Sequence, residues 1–245
     1  MELGYRVIWP DDIGTQPLLL VQISLWRHAI WGVTDGEKAV GQAIDMARVC
    51  RAKGLRSVFH PLEYPLTGAC ATETRDVMRR LASAADLGII IHDEGGTGDR
   101  RLTGAAAKQY EKQVREFSRL CHISIENSYN SGDITWFWNR FVAVASDRVS
   151  ITLDIGHLEL AGLDSAAFIR NLQPALVRRI QFAHLHHHDS NATRDIKDHR
   201  PLVPGCREID ALRHLLKRKP DVRVILELDS SAEGVKRSIA LLETL

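Results

Sequence analysis

The sequence predicts a single (β/α)8 TIM barrel spanning residues 1–245 as one α/β domain, and three observations lead there. The length of 245 residues suits one α/β barrel, a fold that runs to about 250 residues as a single unit. Short β-rich runs alternate with longer helical patterns, the signature of repeated βα units around a parallel sheet. Acidic and histidine residues recur at the carboxyl ends of those runs.

Strands are expected at Tyr5–Trp9, Leu18–Leu25, Ser57–His60, Leu87–His92, His122–Asn127, Ser150–Asp154, Arg179–His186 and Val222–Glu227. After the second, Gly36–Lys53 places Ala39, Ala43, Ala47 and Cys50 on one helical stripe, opened by a Thr34-x-x-Glu37 capping box and closed by Gly54. Further helices are expected at Thr72–Ala85, Gly104–Leu120, Asp133–Ser146, Ser165–Asn171 and Glu208–Arg218. Past the last strand, Ser230 reads as an N-cap with Glu233 three residues on, followed by Val235, Ile239 and Leu242. This helix closes the barrel. No low-complexity linker divides the chain. The longest irregular stretch, His187 to Arg207, holds Pro201, Pro204 and Gly205, and a loop of that length inside a compact domain points to function.

Composition narrows the classes. With 44% hydrophobic and 26% charged residues the chain can bury a core, which excludes disordered and fibrous proteins. Its 32 basic and 31 acidic residues leave a net charge of +1, so no global field draws it to nucleic acid or an anionic membrane. Cys50, Cys70, Cys121 and Cys206 are far apart with no C-x-x-C pair, which argues for reduced packing residues over a zinc ribbon or a disulfide framework. The start, MELGYRVIWPDD, has neither the basic nor the apolar region of a signal peptide, and the longest apolar run, Pro17 to Ile23 broken by Gln22, is too short for a bilayer. A cytoplasmic location without membrane association is the expectation.

The informative residues are His60, His92, Glu126, Asp154, His186 and Glu227, each at the end of an expected strand. In an α/β barrel those ends open on one face. Because strand side chains alternate, Glu126 shares a face with Ser124, Asp154 with Thr152 and Glu227 with Ile225, so the carboxylates point inward. Three carboxylates converging with imidazole and without lysine repel one another and lose hydration, and a divalent cation solves that problem. Oxygen ligands with one histidine suit Mg²⁺ or Mn²⁺, whereas several histidines move the preference to Zn²⁺. A carboxylate after a strand is as readily a helix N-cap. What favours a metal is the recurrence at one end of the barrel.

The runs ISIENSYN, TLDIGHLEL, FAHLHHHDS, KDHRPLVPG and VILELDS resemble the strand-end motifs of the xylose-isomerase-like TIM barrels, a superfamily of sugar isomerases, epimerases and endonuclease IV. The resemblance covers about residues 55 to 230. It implies that Glu126, Asp154, His186 and Glu227 bind a single Mn, Mg or Co ion, with Glu126 and Glu227 also moving protons as the catalytic pair. His157, His60 and Arg200 would then hold substrate. Alternatively, the endonuclease positions are matched by His60, His92, Glu126, Asp154, His157, His186, His199 and Glu227, a multinuclear zinc set. One position departs, since Lys197 stands where that branch has aspartate, with Asp195 and Asp198 on either side. His184 is expected to be a hydrogen-bonded core histidine, His187 to face away, His122 to lie at the opposite end of the barrel and His214 on a helix. Trp26, His28 and Trp31 follow the second strand and either wall the pocket or pack.

Three functions follow. The first is a metal-dependent isomerase or epimerase of a small sugar, sugar phosphate or polyol, with Glu126 and Glu227 exchanging the proton. The second is a zinc phosphodiesterase cutting abasic DNA, which Lys197, the short chain and the near-zero net charge disfavour. The third is a non-catalytic metal-binding barrel.

Overall fold

The computed structural model describes residues 1–27, 36–94, 101–128, 133–190, 198–229 and 231–245. Eight parallel strands close a barrel in chain order. They are β1 (Glu2–Val7), β2 (Leu20–Trp26), β3 (Arg56–Leu62), β4 (Ile89–His92), β5 (Ile123–Glu126), β6 (Val149–Asp154), β7 (Ile180–Leu185) and β8 (Arg223–Leu226). Around them lie α1 (Gly36–Ala52), α2 (Ala71–Ala82), α3 (Gly104–Leu120), α4 (Ile134–Phe141), α5 (Ile155–Leu160), α6 (Ser165–Asn171), α7 (Pro174–Arg179), α8 (Arg207–Arg218) and α9 (Ala232–Leu242).

Alternation along each strand sorts the side chains into two cores. Outward residues such as Ile89, Ile91, Ile123, Ile125, Ile151, Leu153, Val224 and Leu226 pack against the helices in one large cluster. Inside the barrel, Leu20, Val58, Ile90, Phe182 and Ile225 form a smaller cluster that fills its amino-terminal half. Gly4 belongs to this layer, because a Cβ there would overlap the Leu20 side chain. One step toward the carboxyl ends, the inward positions turn polar yet stay buried: Arg6, Gln22, His60, Glu126, Asp154, His184 and Glu227. That change of chemistry within one barrel defines the site.

Several boundaries differ from the sequence reading. β1 begins at Glu2, pairing with Arg223, and ends at Val7, since Pro10–Asp12 turns into a 3-10 helix. β3 continues through Pro61 to Leu62. α4 stops at Phe141, short of the expected Ser146. The helices α5 and α7 were not expected: α5 starts directly on the Asp154 cap, and α7 starts on Pro174, which suits a first helical turn. The expected caps Thr34 and Ser230 lie outside the described residues, and Ser231 caps α9 by accepting from the Gly234 N–H. Burial pushes the Cys50 and Cys206 thiols up to about 11 and the Cys121 thiol up to about 12. Among the described residues no helix is long and apolar enough to cross a membrane.

Candidate metal centre

Asp154 ends β6 and caps α5, its Oδ1 accepting from the His157 N–H at 2.7 Å. It is therefore both an N-cap and a site residue. The Asn127 side chain clamps it from β5, accepting from the Asp154 N–H at 2.8 Å and donating to the Asp154 carbonyl at 2.9 Å. The single turn of α5 carries His157 back over the strand ends. Gly156 leaves room for His186, whose ring a Cβ at residue 156 would overlap. His186 then sets its Nε2 at 3.1 Å from Asp154 Oδ1.

Three histidines are fixed in one manner. His60 Nδ1 donates to the Ile90 carbonyl at 3.2 Å, His157 Nδ1 to the Asn127 carbonyl at 3.0 Å and His199 Nδ1 to the Glu227 carbonyl at 2.9 Å. A carbonyl only accepts, so Nδ1 carries a proton in each ring, and in the neutral imidazole the lone pair is left on Nε2. Metal-binding histidines are oriented in this way. His199 sits at φ +52°, a region costing a non-glycine residue about 1–2 kcal/mol, and its N–H donates to His186 Nδ1 at 3.0 Å. The rings of His157, His186 and His199 consequently cluster, with centroids 4.3 to 5.7 Å apart.

The two glutamates meet at His184, whose Nδ1 lies 2.9 Å from Glu126 Oε1 and 3.2 Å from Glu227 Oε2. Glu126 Oε2 is buried without a hydrogen-bond partner, 3.1 Å from His60 Nε2 and 3.6 Å from His92 Nε2. Glu227 Oε1 accepts from Gln22 Nε2 at 2.8 Å and lies 3.6 Å from Arg6 Nη1. Arg6 also pairs with Asp229. Burial pushes the Glu126 carboxyl upward, but the imidazoles of His184, His60 and His92 outweigh it and hold it down at about 2. In the same contest burial loses to His157 and His186 at Asp154, and to His184 and Arg6 at Glu227, so both stay well below the carboxylate range. Burial opposes protonation of His184, yet Glu126 and Glu227 raise it well above the usual histidine value. His199 goes the other way, lowered to about 3 by burial and by His186.

These residues fit a divalent cation. His60 Nε2 and Glu126 Oε2 are both buried and unsatisfied, and with Nδ1 holding the ring proton they are two lone pairs facing each other. Such groups need a proton or a cation between them. Three carboxylates, Glu126, Asp154 and Glu227, set against the one guanidinium of Arg6, leave two negative charges before any imidazole is protonated. Glu126, Asp154 and His157 offer ligand atoms within 4.8 Å of one another, as do His60, Glu126, His184 and Glu227, and also His157, His186 and His199.

The site opens into a cavity of about 360 Å³ lined by Arg6, Trp26, His60, Leu62, Glu63, His92, Asp93, Ser128, His157, Asp198, His199, Glu227 and Asp229. Trp26 thus walls the pocket, while His28 and Trp31 lie outside the described residues. Asp198 reaches the mouth, 3.7 Å from His199 Nε2; Asp195 and Lys197 lie outside the described residues. Arg200 is not among the lining residues and pairs its backbone with His187. His187 does face away, toward Glu208, and His122 lies at the other end of the barrel, 2.8 Å from Ser150 Oγ. Sequence reasoning missed Arg6 and Gln22. The signal was their parity, two residues beyond Gly4 and Leu20 on inward-facing positions. A larger groove of about 540 Å³ between α3 and α4, lined by Arg115, Arg119, Arg140 and Phe141, contains none of the site residues.

No protein-family model matches this chain, and no curated protein sequence does. Solved structures do. The probable 3-DHS dehydratase AsbF of Bacillus anthracis superposes with a TM-score of 0.68 at 15% identity over 99% of both chains. The 3-keto-D-glucoside 4-epimerase YcjR of E. coli gives 0.65 at 12% identity over 100% of each. The IolI protein, solved with a zinc atom, gives 0.68 at 11% identity over 99% of this chain and 98% of its own. The chain therefore has the xylose-isomerase-like TIM barrel fold.

Proposed function

We propose that this chain is a divalent-metal-dependent isomerase or epimerase of a small, uncharged sugar or polyol. The observation that carries the reading is the pair of buried glutamates joined through one imidazole, His184, with Glu227 lining a small cavity. Glu126, Asp154, His186 and Glu227 would hold the ion, His186 through Nε2 once its ring proton moves to Nδ1 and the His199 N–H contact is given up. When bound, such an ion polarises a carbonyl and acidifies the neighbouring C–H. Glu126, whose Oε2 has no other hydrogen bond, takes that proton. Glu227, which follows β8, three strands round the barrel from Glu126, is fixed by Gln22 close to Arg6 and returns it. His60 and His157, each oriented through Nδ1, would hold substrate hydroxyls from the cavity wall. The fold neighbours include proteins named as an epimerase and a dehydratase, which supports an enzyme working on hydroxylated carbon.

Charge selects among substrates. Glu63, Asp93, Asp198 and Asp229 line the mouth, against the single guanidinium of Arg6 among the described lining residues. A phosphate group entering there meets like charge, so a neutral polyol is preferred. The test is incubation of the Mn²⁺-loaded protein with a panel of neutral ketoses and aldoses in D₂O. Deuterium should enter at the carbon beside the carbonyl. Glu126→Gln, which removes the base and one ligand charge, should weaken Mn²⁺ binding and, with Mn²⁺ kept saturating, slow that exchange by about 10²–10⁴. No exchange with any sugar, or exchange unchanged in Glu126→Gln, would overturn the reading.

A second reading, a multinuclear zinc phosphodiesterase, is favoured by the three histidines anchored through Nδ1. The acidic mouth counts against it, because a nucleic acid partner brings negative charge. Chelator-sensitive incision of an abasic duplex, with no sugar exchange, is the result that would favour it.

A further inference from the structure

We propose that His187, Cys206 and Glu208 form a second, structural metal site, suited to Zn²⁺, at the base of the loop that carries His199. Their Nδ1, Sγ and carboxylate oxygen atoms all lie within 4.8 Å of one another. Glu208 is 1% and Cys206 7% exposed, while the His187 side chain, 22% exposed, leaves a way in. His187 Nδ1 stands 3.2 Å from both oxygens of Glu208. The Cys206 sulfur lies within 4.8 Å of the same carboxylate, which also accepts from the His188 N–H at 2.7 Å.

A buried carboxylate that gathers an imidazole and a thiol presents the mixed O, N and S donors that zinc takes, with a fourth tetrahedral position for water. On binding, the ion replaces the proton between His187 Nδ1 and Glu208 and the thiol proton of Cys206. Both leave to solvent, and nothing is oxidised or reduced. Burial favours the protonated thiol, and a cation beside the sulfur reverses that preference.

The placement gives the site a purpose. His187 and Cys206 stand at the two ends of the long loop after β7, and the loop is already drawn in where His187 and Arg200 exchange backbone hydrogen bonds of 2.8 and 3.2 Å. His199, next in the chain to Arg200, enters the cavity at φ +52°. A metal at the base fixes the loop ends and limits the freedom of the segment that presents this histidine.

The barrel centre contains no cysteine, so a spectroscopic signature separates the two sites. Chelator-treated full-length protein titrated with Co²⁺ should show a thiolate-to-cobalt charge-transfer band that is absent in Cys206→Ser and retained in Asp154→Asn. His187→Gln, at a partly exposed position, should weaken cobalt binding at this site by at least about 10–100-fold, since losing even an outer partner of a metal ligand costs that much. A wild-type protein without the band, or a band that survives Cys206→Ser, would overturn the proposal and leave His187 and Glu208 as an ion pair alone. Neither result depends on turnover, so the barrel's proposed activity is judged separately.

Discussion

Gly156 shows how far one hydrogen atom can decide a site. The ring of His186 occupies the space where a side chain at residue 156 would begin. Gly156→Ala should cost about 1–3 kcal/mol, the range for overpacking a filled interior, and weaken metal binding as His186 turns from Asp154. Equilibrium unfolding in urea and a metal titration on the same variant check both effects. His122, at the far end of the barrel, gives a pH prediction. Burial, then the charge of Arg223, lowers its pKa from 6.5 to about 4. Between those values the unfolded chain holds a proton that the native chain lacks, so stability falls as pH drops from about 6.5 to about 4. His122→Gln should flatten that part of the profile, read as the urea midpoint against pH. At this scale Glu126, Asp154, His186 and Glu227 were legible, because an acid or histidine ending an apolar run stands out. Arg6 and Gln22 were not, since each interrupts a run whose register shows only when both neighbouring strands are placed.

Among the elements, α4 is short and depends on its ends. Asp133 accepts from the Trp136 N–H at 2.9 Å, and the buried Trp138 donates through Nε1 to the Ile125 carbonyl at 3.3 Å. The helix thereby sits behind the strand that carries Glu126. Asp133→Ala should lower stability by about 0.5–2 kcal/mol, the usual cost of losing an N-cap, measured by urea denaturation. Long elements were legible for the same physical reason that makes them stable: α1 and α3 repeat their apolar positions over 17 residues each. The helices α5 and α7, of 6 residues each, are too short to show a period. Strand β1 was displaced in the reading because Gly4 and Arg6 fill its inward positions with neither bulk nor apolarity.

For the whole molecule, the barrel carries its polar charge cluster on top of an apolar plug, with the proposed metal ligands supplied by β5 to β8 and the segments following them. Ligands on separate strands couple binding to the closed barrel. Returning Mn²⁺ to chelated protein at about 100 times its Kd should stabilise it by about 2.7 kcal/mol. For a domain of this length that is about 5–10 °C in Tm, at 2–4 °C per kcal/mol, and calorimetry of the two forms reads it.

The most direct test of the account is a Mn²⁺ titration of the chelated protein, followed by electron paramagnetic resonance in wild type, Asp154→Asn and His60→Ala. Manganese prefers oxygen and imidazole to thiolate, so it reports the barrel centre rather than the Cys206 cluster. The account predicts one bound ion per chain, lost in Asp154→Asn and retained in His60→Ala. Failure to bind Mn²⁺, or binding that Asp154→Asn leaves unchanged, would contradict it.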